Sequence, residues 1–214
     1  MICSDLMVVL ANVLHEIPFV GWFLASLVEI LWPESNEDPW CAIHQAVENL
    51  IDEKINAEVK SRNDRILVGL KAAVDDYLDA ADPSLGNSGD YIAWNWDDAE
   101  SAFETNTPMF QEDGFRLLLL TDYAQCINMY LGLLRDCALY GESWGLPKAT
   151  VDKKTDTMAQ LITDATAYVT EWYQYGLSHL TLPTSTKHQN LVQWNYKNNY
   201  IRTMTIGLLD NMAM

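Results

Sequence analysis

Apolar residues recur at helical spacing through most of the chain, and the short turn signals of β-hairpins are almost absent. The sequence therefore predicts an all-α protein. Proline and glycine residues separate the predicted helices, which cover about 4–15, a second stretch ending at Trp32, 40–81 in two pieces, 94–107, 117–140, 149–180 and 189–213. The 40–81 pattern is too long for one ordinary globular helix, so we expect a break near 56–61. Residues 82–91 contain Pro, Gly, Ser and Asn and are predicted to form a loop.

The segment from Leu117 to Tyr140 is the most apolar in the chain, and it is hydrophobic around most of its helical circumference. A helix of that kind has to be surrounded by other helices. The remaining helices carry their apolar residues in a stripe along one face. We therefore expect a bundle in which the segment at about 117–140 is a buried central helix with amphipathic helices around it, forming one domain over 1–214.

The charge balance of the 214 residues is strongly acidic, with 13 Lys and Arg against 30 Asp and Glu and a formal net charge of −17. Phosphate backbones repel such a surface, so we expect no nucleic acid partner. Surface contact with anionic lipid is disfavoured by the same charge. Any membrane activity would have to come from apolar helices and not from a basic patch.

The four cysteines, Cys3, Cys41, Cys126 and Cys137, form no CxxC pair, so no zinc or redox motif is indicated. Cys126 and Cys137 share a helix face but lie about 16 Å apart at the helical rise, which is too far for a disulfide. We expect small buried thiols there.

The N-terminal residues lack a basic region and carry Asp5, so we expect no secretory signal. No run of 18 uncharged apolar residues occurs in the sequence. The longest candidates, 17–28 and 123–134, have 12 residues each and are too short for an obligate transmembrane helix. We therefore expect the protein to fold in water first.

One catalytic motif and one metal-binding spacing occur, and we expect neither to be functional. Residues Gly141 to Gly145 match the G-x-S-x-G nucleophile elbow at Ser143, but a long predicted helix precedes them where the motif requires a strand. His44 and Glu48 have i,i+4 spacing without the rest of an HExxH motif. We therefore expect no catalytic residue, no metal, no cofactor and no enzyme activity.

Three segments carry distinctive residues in a fixed order. They read YAQCINMYLGLLRDCALYGESWGL at 123–146, WYQYGLSHL at 172–180, and, over 194–213, Trp194, Arg202, Thr205, Leu209, Asp210 and Ala213. In order and spacing they resemble the helices of domain I, the N-terminal helical pore-forming domain of the three-domain insecticidal crystal (Cry) δ-endotoxins. The departures include Tyr130, where the family has a histidine, and the extra charge of Asp122.

The resemblance implies a seven-helix bundle that is water-soluble when folded and then inserts a helical hairpin, here about 94–140, into a target cell membrane to form a pore. It also implies a homo-oligomer in the pore state. The location it implies is a spore-associated crystal inclusion or a released protein acting on the host gut cell membrane. The family's receptor-binding β domains are absent from these 214 residues, so we expect the helical domain alone and leave the receptor unknown.

Asp97, Glu100 and Glu104 are spaced i, i+3 and i+7, which places them on one helix face. One interpretation is an acidic lining for a cation-preferring pore, as charged rings provide in channels. The other is a solvated helix face. The resemblance supports the first interpretation, because the family's corresponding helix is thought to line the lumen.

Charged and aromatic residues of the central helix are interpreted mainly as structural. Arg135 and Asp136 are adjacent and point in different directions, so we expect each to pair with another helix, since a buried charge needs a partner. A direct role in the pore is the alternative. Tyr123, Asn128 and Trp144 are expected to make buried contacts with hydrogen bonds.

Two other classes of function compete with the pore-forming toxin domain. A helical interaction module would bind a protein or self-associate without ever inserting into a membrane. A hydrolase using Ser143 is a more distant alternative.

Overall fold

The computed structural model describes residues 20–31, 43, 45–49, 57–180 and 189–204. The helices with defined bounds are α1 (Trp22–Leu31), α2 (Ala57–Ala81), α3 (Gly89–Asn106), α4 (Leu120–Tyr140), α5 (Lys148–Ser178) and α6 (Gln189–Met204). Residues 45–49 are also helical, and the described ranges contain no strand. The described residues thus contain seven α-helical segments, and the predicted all-α, seven-helix bundle is confirmed.

The loop between α2 and α3 is shorter than predicted because two polar side chains cap the chain there. The Asp82 carboxylate accepts a hydrogen bond from the Ser84 N–H at 2.8 Å and begins the short 3-10 helix Pro83–Leu85. The Ser88 hydroxyl accepts one from the Tyr91 N–H at 3.4 Å, so α3 begins at Gly89, inside the loop predicted at 82–91.

Helix α4 is the centre of the bundle, with 16 of its 21 residues buried. It contacts α1, α2, α3 and α5. Turns occupy 113–119, so the helix begins at Leu120 and not at the predicted residue 117. The prediction of a buried central helix surrounded by others is confirmed.

Helix α6 packs on α5 at a glycine. The Tyr200 hydroxyl donates to the Tyr173 carbonyl oxygen at 3.1 Å, and the two rings stack with centroids 5.7 Å apart. A Cβ at Gly176 would overlap the Tyr200 hydroxyl, so this close approach of the two helices requires glycine.

The predicted break near 56–61 is wrong for residues 57–61, because α2 is continuous from Ala57 to Ala81, and residue 56 lies outside the described residues. Helix α5 matches its prediction to within two residues at each end. The predictions for 4–15 and 205–213 lie outside the described residues, as do Cys3, Cys41 and His44.

Among the helices described, none combines the length and the apolar character that crossing a bilayer requires.

Candidate functional site

Helices α3 and α4, with the connection 107–119, form an antiparallel hairpin whose arms are joined by specific contacts. The Trp96 indole N–H donates to the Leu133 carbonyl oxygen at 2.8 Å. The Phe103 and Tyr130 rings stack with centroids 5.3 Å apart. Near the connection, the Thr107 hydroxyl lies 3.4 Å from the Cys126 sulfur. These pairs define one register along the whole hairpin.

Glu100 faces the interior of the bundle and is only 2% exposed. Its carboxylate accepts hydrogen bonds from the Lys154 ammonium of α5 at 2.6 Å and from the Tyr130 hydroxyl at 3.0 Å. Burial raises the pKa of Glu100, against the opposing effect of Lys154. The Lys154 ammonium also lies 5.8 Å from the Trp96 ring centroid. The solvated-face interpretation is therefore wrong for Glu100, which forms a buried ion pair between α3 and α5.

Asp97 and Glu104 lie beside Glu100 on α3 but remain exposed. The Glu104 carboxylate lies 3.5 Å from the Lys154 ammonium, so this lysine bridges two of the three candidate acids. Sequence spacing alone contained no sign of Lys154, which is 54 positions from Glu100.

Acidic side chains of the 107–119 connection also form ion pairs with basic side chains. Glu112 forms an ion pair with Arg62 of α2, and Asp113 lies 2.5 Å from Arg116. The Arg116 guanidinium is 5.4 Å from the centroid of Trp172 on α5. The connection is thus held to α2 and α5 through its charged side chains.

Asp136 is fully buried and joins two other parts of the bundle to α4. It accepts hydrogen bonds from the Gly21 N–H, the Tyr77 hydroxyl and the Arg135 guanidinium, each at 3.0 Å. Burial raises the pKa of Asp136 to about 6, although the bonds from Tyr77 and Arg135 act in the opposite direction. The folded protein therefore binds this proton more tightly than the unfolded chain. The resulting stabilisation is complete at low pH and is lost as the pH rises from about 4 through about 6.

Arg135 is 3% exposed and forms its ion pair with its neighbour Asp136, so the expectation of a separate partner on another helix is wrong for the charge of Arg135. Its guanidinium also lies 4.9 Å from the centroid of Phe23 on α1. Within the part of the chain that the structure describes, the buried Nε and Nη2 atoms of Arg135 have no hydrogen-bond partner. Asp136 does follow the expectation, since Tyr77 and Gly21 lie on other parts of the chain.

The remaining central residues lie near the start of α4, within the helix and just beyond its end. Tyr123 is buried, and its ring centroid is 4.7 Å from that of Tyr168 on α5. Trp144 is buried just beyond the helix, 6.0 Å from the Tyr77 ring and 6.5 Å from the Trp96 ring. Asn128 is half-buried and has a polar or electrostatic contact.

Cys126 and Cys137 are free and buried, as predicted. Burial raises the pKa of Cys126 to about 12 and that of Cys137 to about 11. Within the described residues, no group of three His, Cys, Asp or Glu side chains has the arrangement of a metal site.

Ser143 lies in the 3-10 helix Gly141–Trp144, directly after α4. Its exposed hydroxyl donates to the Tyr140 carbonyl oxygen at 2.6 Å. A nucleophile elbow places its serine between a strand and a helix. The local backbone at Ser143 therefore does not have the geometry of that motif.

Replacing Asp136 with leucine should lower the free energy of unfolding by about 3–5 kcal/mol, because the buried Arg135 charge would lose its counterion. The Tyr77 hydroxyl and the Gly21 N–H would lose their acceptor in the same change. Urea unfolding followed by circular dichroism would measure the loss.

The matched control is Arg135→Met/Asp136→Leu, which removes both charges and should be less destabilised than Asp136→Leu alone. A single Asp136→Leu variant as stable as the wild type would contradict a structural role for the pair.

Comparison with known proteins gives a consistent result over nearly the whole chain. Residues 7–214 match a family model described as the delta endotoxin N-terminal domain. Pesticidal crystal protein Cry7Aa of Bacillus thuringiensis is 33% identical over 201 residues, which cover 92% of this chain and 17% of the relative. Pesticidal crystal protein Cry26Aa of Bacillus thuringiensis subsp. finitimus is 31% identical over 206 residues, with the same coverage of 92% and 17%.

Two solved structures share the fold. The insecticidal crystal protein Cry7Ca1 of Bacillus thuringiensis superposes with a TM-score of 0.78 at 25% identity, over 99% of this chain and 37% of that one. The insecticidal delta-endotoxin Cry8Ea1 of Bacillus thuringiensis gives a TM-score of 0.77 at 25% identity, over 99% and 36%. The chain therefore spans a minor part of the length of the proteins that it resembles.

Proposed function

Because the chain belongs to the delta endotoxin N-terminal domain family, we propose that it is a pore-forming toxin domain that folds as a helical bundle and then inserts the α3–α4 hairpin into a target cell membrane. The active form is a homo-oligomer. As the relatives are named pesticidal crystal proteins, we further propose that the protein occurs in a crystal inclusion or is released, and acts on host gut cells. The chain supplies the helical domain, and its receptor is unknown.

The observation that carries the proposal is the burial of the central helix of the bundle, whose length is close to the thickness of a bilayer core. Helix α4 has 21 residues, 16 of them buried by protein. At the helical rise it is about 31 Å long, which matches a hydrocarbon core of about 30 Å. The surrounding helices cover this surface in the folded bundle, and the polar and charged side chains on it would need partners in a membrane.

The charges of α4 explain why insertion is conditional. Asp122, Arg135 and Asp136 are all buried in the bundle, where Arg135 and Asp136 are paired with each other. Each charge costs about 3 kcal/mol at the centre of a bilayer and less toward its surface. The bundle is therefore the preferred state of α4 in water, and the hairpin leaves it only when its neighbours separate.

The acidic face of α3 supports a cation-preferring pore. Asp97 and Glu104 are exposed, and Glu100 is held inward by Lys154 of α5. When the hairpin leaves α5, the Glu100 carboxylate loses its lysine and becomes available to line the lumen with the other two acids. Rings of acidic side chains favour cations in channels.

The direct test is release of an entrapped dye from phosphatidylcholine vesicles by the purified chain. We expect release by the wild type, together with permeability to potassium that exceeds permeability to chloride. A Glu100→Gln/Glu104→Gln variant should keep dye release but lose part of the cation preference. Intact vesicles combined with a stable protein oligomer would instead support a non-inserting interaction module.

A further inference from the structure

One lysine of α5 contacts three side chains that follow one another along a single face of α3. The Lys154 ammonium lies 2.6 Å from the Glu100 carboxylate and 3.5 Å from the Glu104 carboxylate. It also lies 5.8 Å from the centroid of the Trp96 ring. Trp96, Glu100 and Glu104 are each four residues apart, so they lie on successive turns of α3. The Lys154 side chain is 16% exposed, so most of it is enclosed by protein.

Two of these α3 side chains are also held by α4, inside the hairpin itself. The Trp96 indole N–H donates to the Leu133 carbonyl oxygen, and the Tyr130 hydroxyl donates to the Glu100 carboxylate. Both bonds join the two arms of the hairpin, so they stay intact if the hairpin moves as a unit. The bonds from Lys154 connect the hairpin to α5 and have to break. The Glu100 carboxylate therefore accepts one bond of each kind.

Building on the proposed function, we propose that Lys154 is an autoinhibitory latch, whose ion pairs with Glu100 and Glu104 hold the α3–α4 hairpin against α5 until the hairpin leaves as a unit. A buried carboxylate that loses its base is strongly disfavoured. The hairpin and α5 therefore stay together until the separation is wide enough for water to reach Glu100.

The charges of the pair depend on each other. Burial acts to lower the pKa of Lys154, but its bond and charge interaction with Glu100 and the charge of Glu104 outweigh burial and raise the pKa. The ammonium is therefore charged in the folded bundle at neutral pH. For Glu100, burial raises the pKa, and the bond from Lys154 is the largest effect in the opposite direction. Removing the lysine would thus leave the burial of this acid uncompensated.

Helix α4 contains two native thiols that distinguish release of the hairpin from general unfolding. A Cβ at Gly141 would lie 2.9 Å from a methyl group of Val151 and 3.3 Å from the Cys137 sulfur, so Cys137 lies beside α5. The Cys126 sulfur instead lies 3.4 Å from the Thr107 hydroxyl, inside the hairpin. Both thiols are fully buried. Departure of the hairpin from α5 would uncover Cys137 and leave Thr107 beside Cys126.

The test is the rate at which a soluble maleimide labels Cys137 in the folded chain, with the labelled position identified by peptide mass spectrometry. Lys154→Met should be labelled about a hundredfold faster than the wild type, because Glu100 loses its base. Glu100→Gln should be labelled about tenfold faster, since a neutral hydrogen bond replaces a charge-assisted one. The glutamine leaves no unpaired buried acid, so this variant carries the comparison if circular dichroism shows that Lys154→Met does not fold.

Two matched controls separate a latch from an ordinary stabilising contact. Tyr130→Phe removes the other bond to the same Glu100 carboxylate and keeps a ring stacked on Phe103. It should lower the midpoint of urea unfolding but leave Cys137 labelling unchanged, because the lost bond lies inside the hairpin before and after release. Lys148→Met removes an exposed lysine of the same helix α5 and should leave the labelling rate unchanged.

Labelling of Cys137 at the wild-type rate in Lys154→Met and Glu100→Gln would overturn the proposal. An acceleration in Tyr130→Phe that matches its loss of stability would also overturn it, since Lys154 would then be one packing contact among others. Dye release from vesicles separates the latch from the proposed function. Faster labelling in Lys154→Met without dye release by any of these proteins refutes only the pore, whereas dye release by the wild type with labelling independent of Lys154 refutes only the latch.

Discussion

Joining α1 to α4 by a disulfide should reduce dye release from vesicles to the protein-free background. A Cβ at Gly132 would lie 3.8 Å from the Leu24 Cβ, the usual separation in disulfides. Leu24→Cys also removes the methyl group that a Cβ at 132 would otherwise approach to 2.8 Å. The oxidised Leu24→Cys/Gly132→Cys protein should therefore close a bond that prevents α4 from leaving α1, and reduction should restore release.

The matched control joins the two arms of the hairpin to each other. Thr107→Cys would place a second sulfur near Cys126, since the native Thr107 oxygen lies 3.4 Å from the Cys126 sulfur. A disulfide there leaves the hairpin free to separate from α1 and α5, so release should persist. Mass spectrometry of the oxidised proteins would verify each bond. Equal release by the oxidised and reduced α1–α4 variants would refute insertion of the hairpin as a unit.

The central helix was predictable because its signal is local. Apolar residues surround α4 over consecutive turns, and only burial among other helices satisfies such a surface. The same holds for α5, whose continuous stripe predicted its bounds to within two residues at each end. The start of α3 was missed because the cap at Ser88 precedes the apolar stripe, inside a stretch that resembles a loop.

The apolar residues around Glu100 predict that it is buried, although a charged side chain is usually exposed. Trp96, Ala99 and Phe103 stand at i−4, i−1 and i+3 from Glu100, and all three are buried. This stripe places Glu100 on the inner face of α3, where an acid needs a base. The base, Lys154, comes from a different helix, and the spacing of residues within α3 contains no information about it.

The pairing of Arg135 with Asp136 shows a limit of reasoning from helix faces. Neighbouring Cβ atoms diverge by about 100° around a helix. An arginine side chain is long enough to turn back to its neighbour, and the guanidinium reaches Asp136 at 3.0 Å while it lies over Phe23. The direction of the Cα–Cβ bond therefore predicts the hydrogen-bond partner well for a short side chain and poorly for arginine.

Raising the pH from about 8 to about 11 should lower the free energy of unfolding by several kcal/mol, because the core contains buried thiols and phenols that resist ionisation. Burial raises the pKa of Cys126 from 9.0 to about 12 and that of Tyr168 from 10.0 to about 12. The pKa values of Tyr123 and Tyr130 are raised in the same direction, mainly by burial. Between the two pKa values of each group the folded state holds more protons than the unfolded state, so the contribution of these thiols and phenols is fully present below about pH 9 and is lost as the pH rises.

Cys126→Ala removes the group that contributes most to this change of the unfolding free energy with pH. At about pH 11 the Cys126 thiol alone accounts for about 3 kcal/mol of the loss, so the variant should show a correspondingly smaller difference between the two pH values. Its cavity should cost the same at both pH values and cancel in the comparison. Urea unfolding under reducing conditions would measure both differences. A wild-type urea midpoint that does not move between the two pH values would contradict the prediction. It would show that these thiols and phenols ionise as freely in the folded bundle as in the unfolded chain.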